Sequence, residues 1–218
     1  VRSRMFFLGI QYALTFLLVV SALYFNRQLD MLLHTEPGFR TKNILVAKLI
    51  YESQDFNGFT KERVLAERAR SQLLREKLSA CPFIEYHQSG YESIIDKTYG
   101  TNYVNAKGET AYLNIMYVSP QFFQMFEIDI EEGAIPEKSG RNIYVLNRAA
   151  MKAMNFSSLE EAAVVEDNRK RKDANAPMEP IVAVVKDYYN GHLSAGAAPI
   201  LYNVSGSGGP RHQIAFPE

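Results

Sequence analysis

Cysteine is almost missing from this 218-residue sequence, and the lone thiol, Cys81, excludes an intramolecular disulfide framework and a cysteine-built zinc site. A surplus of either charge is missing too. Lys and Arg number 24 against 24 Asp and Glu, so the basic excess typical of a nucleic-acid binder is lacking. Histidines are few, and His34, His87, His192 and His212 show no metal-ligand spacing. No phosphate-cradling Gly-rich loop, no G-x-S-x-G elbow and no H-E-x-x-H helix occurs. Cys81 stands before Pro82 with no histidine near it in sequence, which reads as a structural thiol. These gaps leave no catalytic residue, no cofactor-binding residue and no metal ligand to assign. The expectation is a chain that is not an enzyme, carries no cofactor and binds no nucleic acid.

Hydrophobicity is abundant, at 47% of residues, and unevenly spread. From Met5 to Phe25 the chain reads MFFLGIQYALTFLLVVSALYF, with no charge and only Gln11, Thr15 and Ser21 clearly polar. At a rise of about 1.5 Å per residue such a run spans a bilayer's hydrocarbon core as a helix. Two other readings compete. A cleavable signal peptide would use Val20 and Ala22 at its small-residue positions, but the stretch is long for one. A core helix apolar on every face would need a large protein around it. Arg2 and Arg4 precede the run and Arg27 follows, which places the N-terminus in the cytoplasm and the remainder outside it. Asn26 to His34 continues as an amphipathic extension with Leu29, Leu32 and Leu33 on one face, a stalk that Pro37-Gly38 then breaks.

Beyond the break the pattern is α+β. Strands are expected at Asn43–Ile50, Phe83–Gln88, Ile143–Leu146, Ile181–Val185, Ile200–Val204 and from His212. Tyr99–Val104 and Thr110–Val118 flank a turn at Ala106-Lys107-Gly108 and read as a hairpin. Residues 52–59 read as a loop, followed by a helix over Thr60–Ala80 with Thr60 as its cap and Leu65, Ala69, Leu73 and Leu78 on one face. Short helices are expected from Ser119-Pro120 to Met125, over Arg148–Met154, and as a turn capped by Ser157 or Ser158 through Ala163. The charged stretch 166–180 reads as a solvated loop, and Gly206–Pro210 as a flexible one. Phe122, Phe123 and Phe126 read as core, with a binding groove as the alternative. Asn155 and Asn203 each begin an N-x-S acceptor pattern.

Four stretches, in order, resemble the macrolide-exporter-type (MacB/FtsX-like) permease subunits of ABC transporters. They are Arg4 to Asn43 with its Pro37-Gly38-Phe39 break, VSPQFFQMFEIDIEEG from Val118, IYVLNRAAMKAM from Ile143, and IVAVVKDYYNGHL from Ile181 with Pro199 beyond. Ala183 in place of a usual Gly, Arg148 where an acidic residue is common, and the long charged insertion at 166–180 depart from that pattern. The resemblance implies a membrane helix and stalk over 1–36 and a two-lobed periplasmic domain over 38–218. It further implies a base lobe of 38–120 and 211–218 with an inserted lobe near 121–200. The initial Val and the strand beginning near the last residues suggest a piece of a longer chain. The partners implied are a cytoplasmic ABC ATPase subunit, a second permease copy or repeat, the lipid bilayer and other envelope components. The role implied is mechanotransmission from the ATPase to the periplasmic lobes, in the bacterial inner membrane. The competing reading is the extracytoplasmic sensor domain of a signalling receptor, with Phe122, Phe123 and Tyr188 lining a ligand pocket.

Overall fold

The computed structural model describes residues 2–48, 61–90, 94, 99–136, 143–189, 196–205 and 211–217. The chain divides into two compact units, Val1–Pro37 and Gly38–Glu218. The first unit is one helix, α1 (Arg2–His34), unbroken through the apolar run and its extension. Within the apolar run the Thr15 hydroxyl donates to the Gln11 carbonyl at 2.8 Å. No part of its most apolar stretch is buried inside the protein.

The second unit is mixed α+β. Its first strand, β1 (Ile44–Lys48), precedes helix α2 (Lys61–Ser79) and strand β2 (Tyr86–Gly90). Straight-chain helix formers fill α2, which stops just ahead of Pro82, where the Cys81 amide bonds back to the Leu78 carbonyl. Leu65 and Leu73, half of its expected apolar stripe, are largely exposed. A hairpin follows, β3 (Tyr99–Asn105) and β4 (Thr110–Val118), then the short helix α3 (Phe122–Met125). Next come β5 (Ile130–Gly133), β6 (Ile143–Asn147), α4 (Arg148–Ala153), β7 (Ala163–Glu166) and α5 (Asp167–Lys172). The chain continues through β8 (Glu179–Val185), β9 (Ile200–Val204) and β10 (Arg211–Ala215).

Two sheets result. The small one has the order β1-β10-β2, antiparallel throughout, so β10 is its centre and pairs on both sides. The large one runs β5-β8-β6-β9-β4-β3-β7, and β7 pairs again with β8. That last pairing closes β8-β6-β9-β4-β3-β7 into a barrel. All six of those strands send residues into one apolar cluster, with Tyr103, Leu113, Leu146, Val164, Val184 and Leu201 among them. This cluster is the barrel interior, and α4 joins it through Ala150, Met151 and Met154. A second cluster on the outer face joins β4, β6, β8 and β9 to Phe122, Phe123, Met125 and Phe126, with Ala215 of β10 in it and Ile44 of β1 against it. Each of these fully buried aromatics contributes roughly 2–3 kcal/mol by leaving water.

Strands β3 and β4 belong to the large sheet because they pair with β7 and β9. Several expectations are corrected. Residues 157–161 form bends and a turn instead of a helix. The cap there runs backwards, since the Glu161 carboxylate accepts from the Ser157 and Ser158 amides. The charged stretch from 166 holds the helix α5, tied by Arg171–Asp167 at 2.7 Å within the helix and Arg169–Glu179 at 3.0 Å across to β8. Strands β5 and β7 were not expected. The loop at 52–59, the cap at Thr60, the loop at Gly206–Pro210 and His192 lie outside the described residues.

Candidate functional site

Met5 and Phe25, the expected ends of the span, and Leu29, Leu32 and Leu33 of the expected stalk are all exposed side chains of α1. The residues that carry geometry begin where the second unit begins. Gly38 has φ +83°, in the left-handed region that favours glycine, and a Cβ there would stand 3.0 Å from the Asp187 carbonyl oxygen and 3.2 Å from the Tyr188 Cα. The adjoining Phe39 ring meets Phe126 and Tyr188 edge-on, with centroids 6.2 and 5.5 Å apart. Tyr188 is fully buried, and its hydroxyl donates to the Met116 sulfur at 3.7 Å.

Arg40 completes this junction. Its amide donates to the Phe126 carbonyl at 2.8 Å, tying the leading segment to the end of α3. Its guanidinium, with the side chain 7% exposed, donates to Glu85 at 2.9 Å and to the Phe216 carbonyl at 2.6 Å. The Phe216 amide donates in turn to the Asn43 carbonyl at 2.9 Å. The strand register continues the contact, with Ile44 opposite Ala215 and Leu45 opposite Ile214. The segment leading into the domain and the segment after β10 therefore lie side by side, pinned by one buried cation. A buried guanidinium is tolerated because its fork finds a carboxylate and a carbonyl at once.

On one face of the small sheet, a ladder of buried amides runs toward the barrel. The Gln88 amide nitrogen donates to the Gln213 side-chain oxygen at 2.8 Å, and the Ser119 hydroxyl donates to Gln88 at 2.9 Å. Elsewhere in the same sheet His87 Nε2 and His212 Nδ1 meet at 3.0 Å, their rings 7° from parallel. Burial lowers the His87 pKa to about 4, with His212 and then Arg75 adding to the effect. Burial lowers His212 as well, followed by Arg75. His87 thus pairs with His212; its conceivable partner from sequence, His192, lies outside the described residues.

The remaining motif residues are structural. Asn147 caps α4 by accepting from the Ala150 amide at 3.0 Å, accepts from the Ile200 amide at 2.8 Å and donates to the Ala198 carbonyl at 2.8 Å. Asp187 accepts from the Ala149 amide at 2.9 Å, while burial holds its carboxyl above the usual range. Arg148 pairs with Glu131 and Glu132 of β5 at 2.6 and 3.0 Å, so its unusual charge has local partners. Phe122, Phe123 and Tyr188 are sealed in the outer-face core, at 2% exposure or less, and line no groove. Among the described residues, no group of three or more His, Cys, Asp and Glu side chains could hold a metal ion. Sequence reasoning missed Arg40, although its place directly after the Pro-Gly-Phe break was a usable signal.

No protein-family model and no curated protein matches the sequence. Solved structures do. The periplasmic region of MacB from Actinobacillus actinomycetemcomitans aligns at TM-score 0.50 and 16% identity, over 83% of this chain and 77% of that one. The extracellular domain of the noncanonic ABC-type transporter YknZ from Gram-positive bacteria aligns at TM-score 0.49 and 8% identity, over 81% and 84%. A domain assigned to a permease protein from Porphyromonas gingivalis aligns at TM-score 0.45 and 11% identity; it covers 63% of this chain, which spans 64% of that one. An apolar N-terminal helix followed by a mixed α/β domain with the fold of the periplasmic region of MacB is thus what this sequence encodes.

Proposed function

We propose that the chain is the membrane-helix and extracytoplasmic portion of an ABC transporter permease subunit, and that it passes motion from a cytoplasmic ATPase subunit to its periplasmic domain. The observation that carries this reading is the fold shared with the MacB periplasmic region, preceded in the chain by an unbroken 33-residue helix apolar enough to cross a bilayer. The role is non-enzymatic, and the ATPase is a separate partner. A second permease copy or repeat completes the assembly in the inner membrane of a bacterium. The Gly38–Phe39–Arg40 junction supports such a role, because it fixes the leading segment to α3, to Tyr188 and to the end of β10 without slack.

The test is mechanical. Replacing Asn26–His34 by a Gly/Ser linker of equal length in the assembled transporter leaves ATP turnover running while transport falls to background. Transport that keeps pace with ATP turnover in that variant refutes the coupling role.

A further inference from the structure

The two ends of the barrel differ. Helix α4 leaves directly from the C-terminal end of β6 and sends Ala150, Met151 and Met154 into the interior there. Toward the opposite end, three inward-facing residues form one layer by register: Tyr117 of β4 opposite Asn203 of β9, and Asn203 opposite Tyr144 of β6. Each stands two residues along its strand from an interior residue, Ile115, Leu201 and Leu146 respectively, so period-two alternation turns all three toward the barrel axis. Tyr99, opposite Ile115 on β3, faces the same way.

The rim of this layer is exposed, and its centre is buried and unmatched. Tyr117 is 43% exposed and Tyr99 76%, whereas Asn203 is only 7% exposed and its side-chain oxygen is buried with no hydrogen-bond partner. A buried acceptor without a donor costs about 1–3 kcal/mol, which natural folds retain where something else supplies the donor. The surroundings specify that something. Beyond burial, the groups that act on the Tyr103 hydroxyl are Glu166, Tyr144 and Tyr117, and each of them pushes its pKa up. Among the described residues, tyrosine rings, an amide oxygen and a carboxylate make this end rich in hydrogen-bond acceptors. Mouths of β-barrels are a preferred place for small-ligand sites.

We propose that this end of the barrel is a binding site for a primary alkylammonium group, which donates an N–H to the Asn203 oxygen between the rings of Tyr117 and Tyr144. The ring faces attract the cation and the amide oxygen selects for N–H over a methylated nitrogen. A dissolved amine and an ethanolamine lipid headgroup present the same chemistry. The site stands independently of the transport reading. It also shows why the Asn203 acceptor pattern marks no glycan: the side chain is buried inside the barrel.

The experiment uses the full chain in phosphatidylcholine nanodiscs, with labelled tyrosine rings and asparagine amides followed by NMR during titration with n-butylammonium. Saturable shifts at Tyr99, Tyr117, Tyr144 and Asn203 are expected, with tetramethylammonium at least fivefold weaker. Asn203→Leu erases that preference, and Tyr117→Ala, at an exposed position that leaves the fold intact, weakens both ions about tenfold. Repeating the titration with phosphatidylethanolamine in the nanodisc separates the sources: a headgroup ligand occupies the site before the amine is added, and a dissolved amine titrates as before. Absence of saturable shifts at these residues overturns the proposal. So does a butylammonium preference that survives Asn203→Leu, or glucose binding as tightly as the amine.

Discussion

The guanidinium of Arg40 donates to the backbone carbonyl of Phe216 at 2.6 Å across 176 residues of sequence. With Glu85 on its other nitrogen, this contact joins the first and last described segments of the domain in one buried knot. Replacing Arg40 by Met strands the half-buried Phe216 carbonyl, while the Glu85 carboxylate, 38% exposed, turns to water. A loss of about 2–3 kcal/mol is expected, because bonds to a charged donor are worth more than neutral ones. Chemical denaturation measures it, and the Phe216 amide, which bonds to Asn43, exchanges with solvent faster than amides of the barrel.

Gly38→Ala tests whether the left-handed turn at the head of the domain is required. A Cβ there is strained by φ +83° and crowds the Asp187 carbonyl at 3.0 Å. The expected cost is about 1–2 kcal/mol, read as a lowered Tm. Gly108, also at positive φ but with open space around it, supplies the comparison: Gly108→Ala carries the backbone strain without the crowding.

Asn147 makes three bonds from a fully buried side chain, so Asn147→Ala removes the cap of α4 and orphans both the Ile200 amide and the Ala198 carbonyl. About 2–4 kcal/mol should be lost. Asn147→Asp keeps the two accepted bonds but sets a buried carboxylate against the Ala198 carbonyl. Its deficit relative to the parent protein at the same pH should shrink in acid, where the protonated carboxyl regains a donor; denaturation midpoints across pH are the check.

Stability should fall in acid through the histidine pair. His87 binds its proton near pH 6.5 when unfolded and at about 4 when folded, so between those values the unfolded chain takes up more protons. The contribution is complete above pH 6.5 and is lost as pH falls toward 4. His87 is only half buried, and solvent screening reduces the effect to about 1 kcal/mol. Denaturation midpoints measured at pH 7 and pH 4.5 give the difference, and His87→Gln shrinks it.

The parts of the fold legible in the sequence are those whose burial is written locally. The unbroken apolar run gives α1, the aliphatic run Ile181–Val185 gives the interior of β8, and Ala106-Lys107-Gly108 between two β-rich runs gives the β3–β4 hairpin. What was illegible is what distant partners impose. Strand β5 reads IEEG and has no strand pattern of its own; it exists because β8 offers an edge. Strand β7 follows a segment with helical composition and is held by β3 and β8 from outside. Helix α5, DNRKRK, has no apolar face and is tied by the Arg171–Asp167 and Arg169–Glu179 ion pairs. The Arg40 knot and the Tyr117–Asn203–Tyr144 layer depend on strand register, which alternation hints at and only pairing determines.

Ile44 and Ala215 face each other at one end of the β1–β10 pair, while the barrel behind them is a closed hoop. A force drawing those two strands apart meets one rung at a time, as in opening a zipper, and the hoop, having no loose margin along its seam, moves as a stiff whole. The yielding component of this domain is therefore the three-stranded sheet, and Arg40 is the clasp at its mouth.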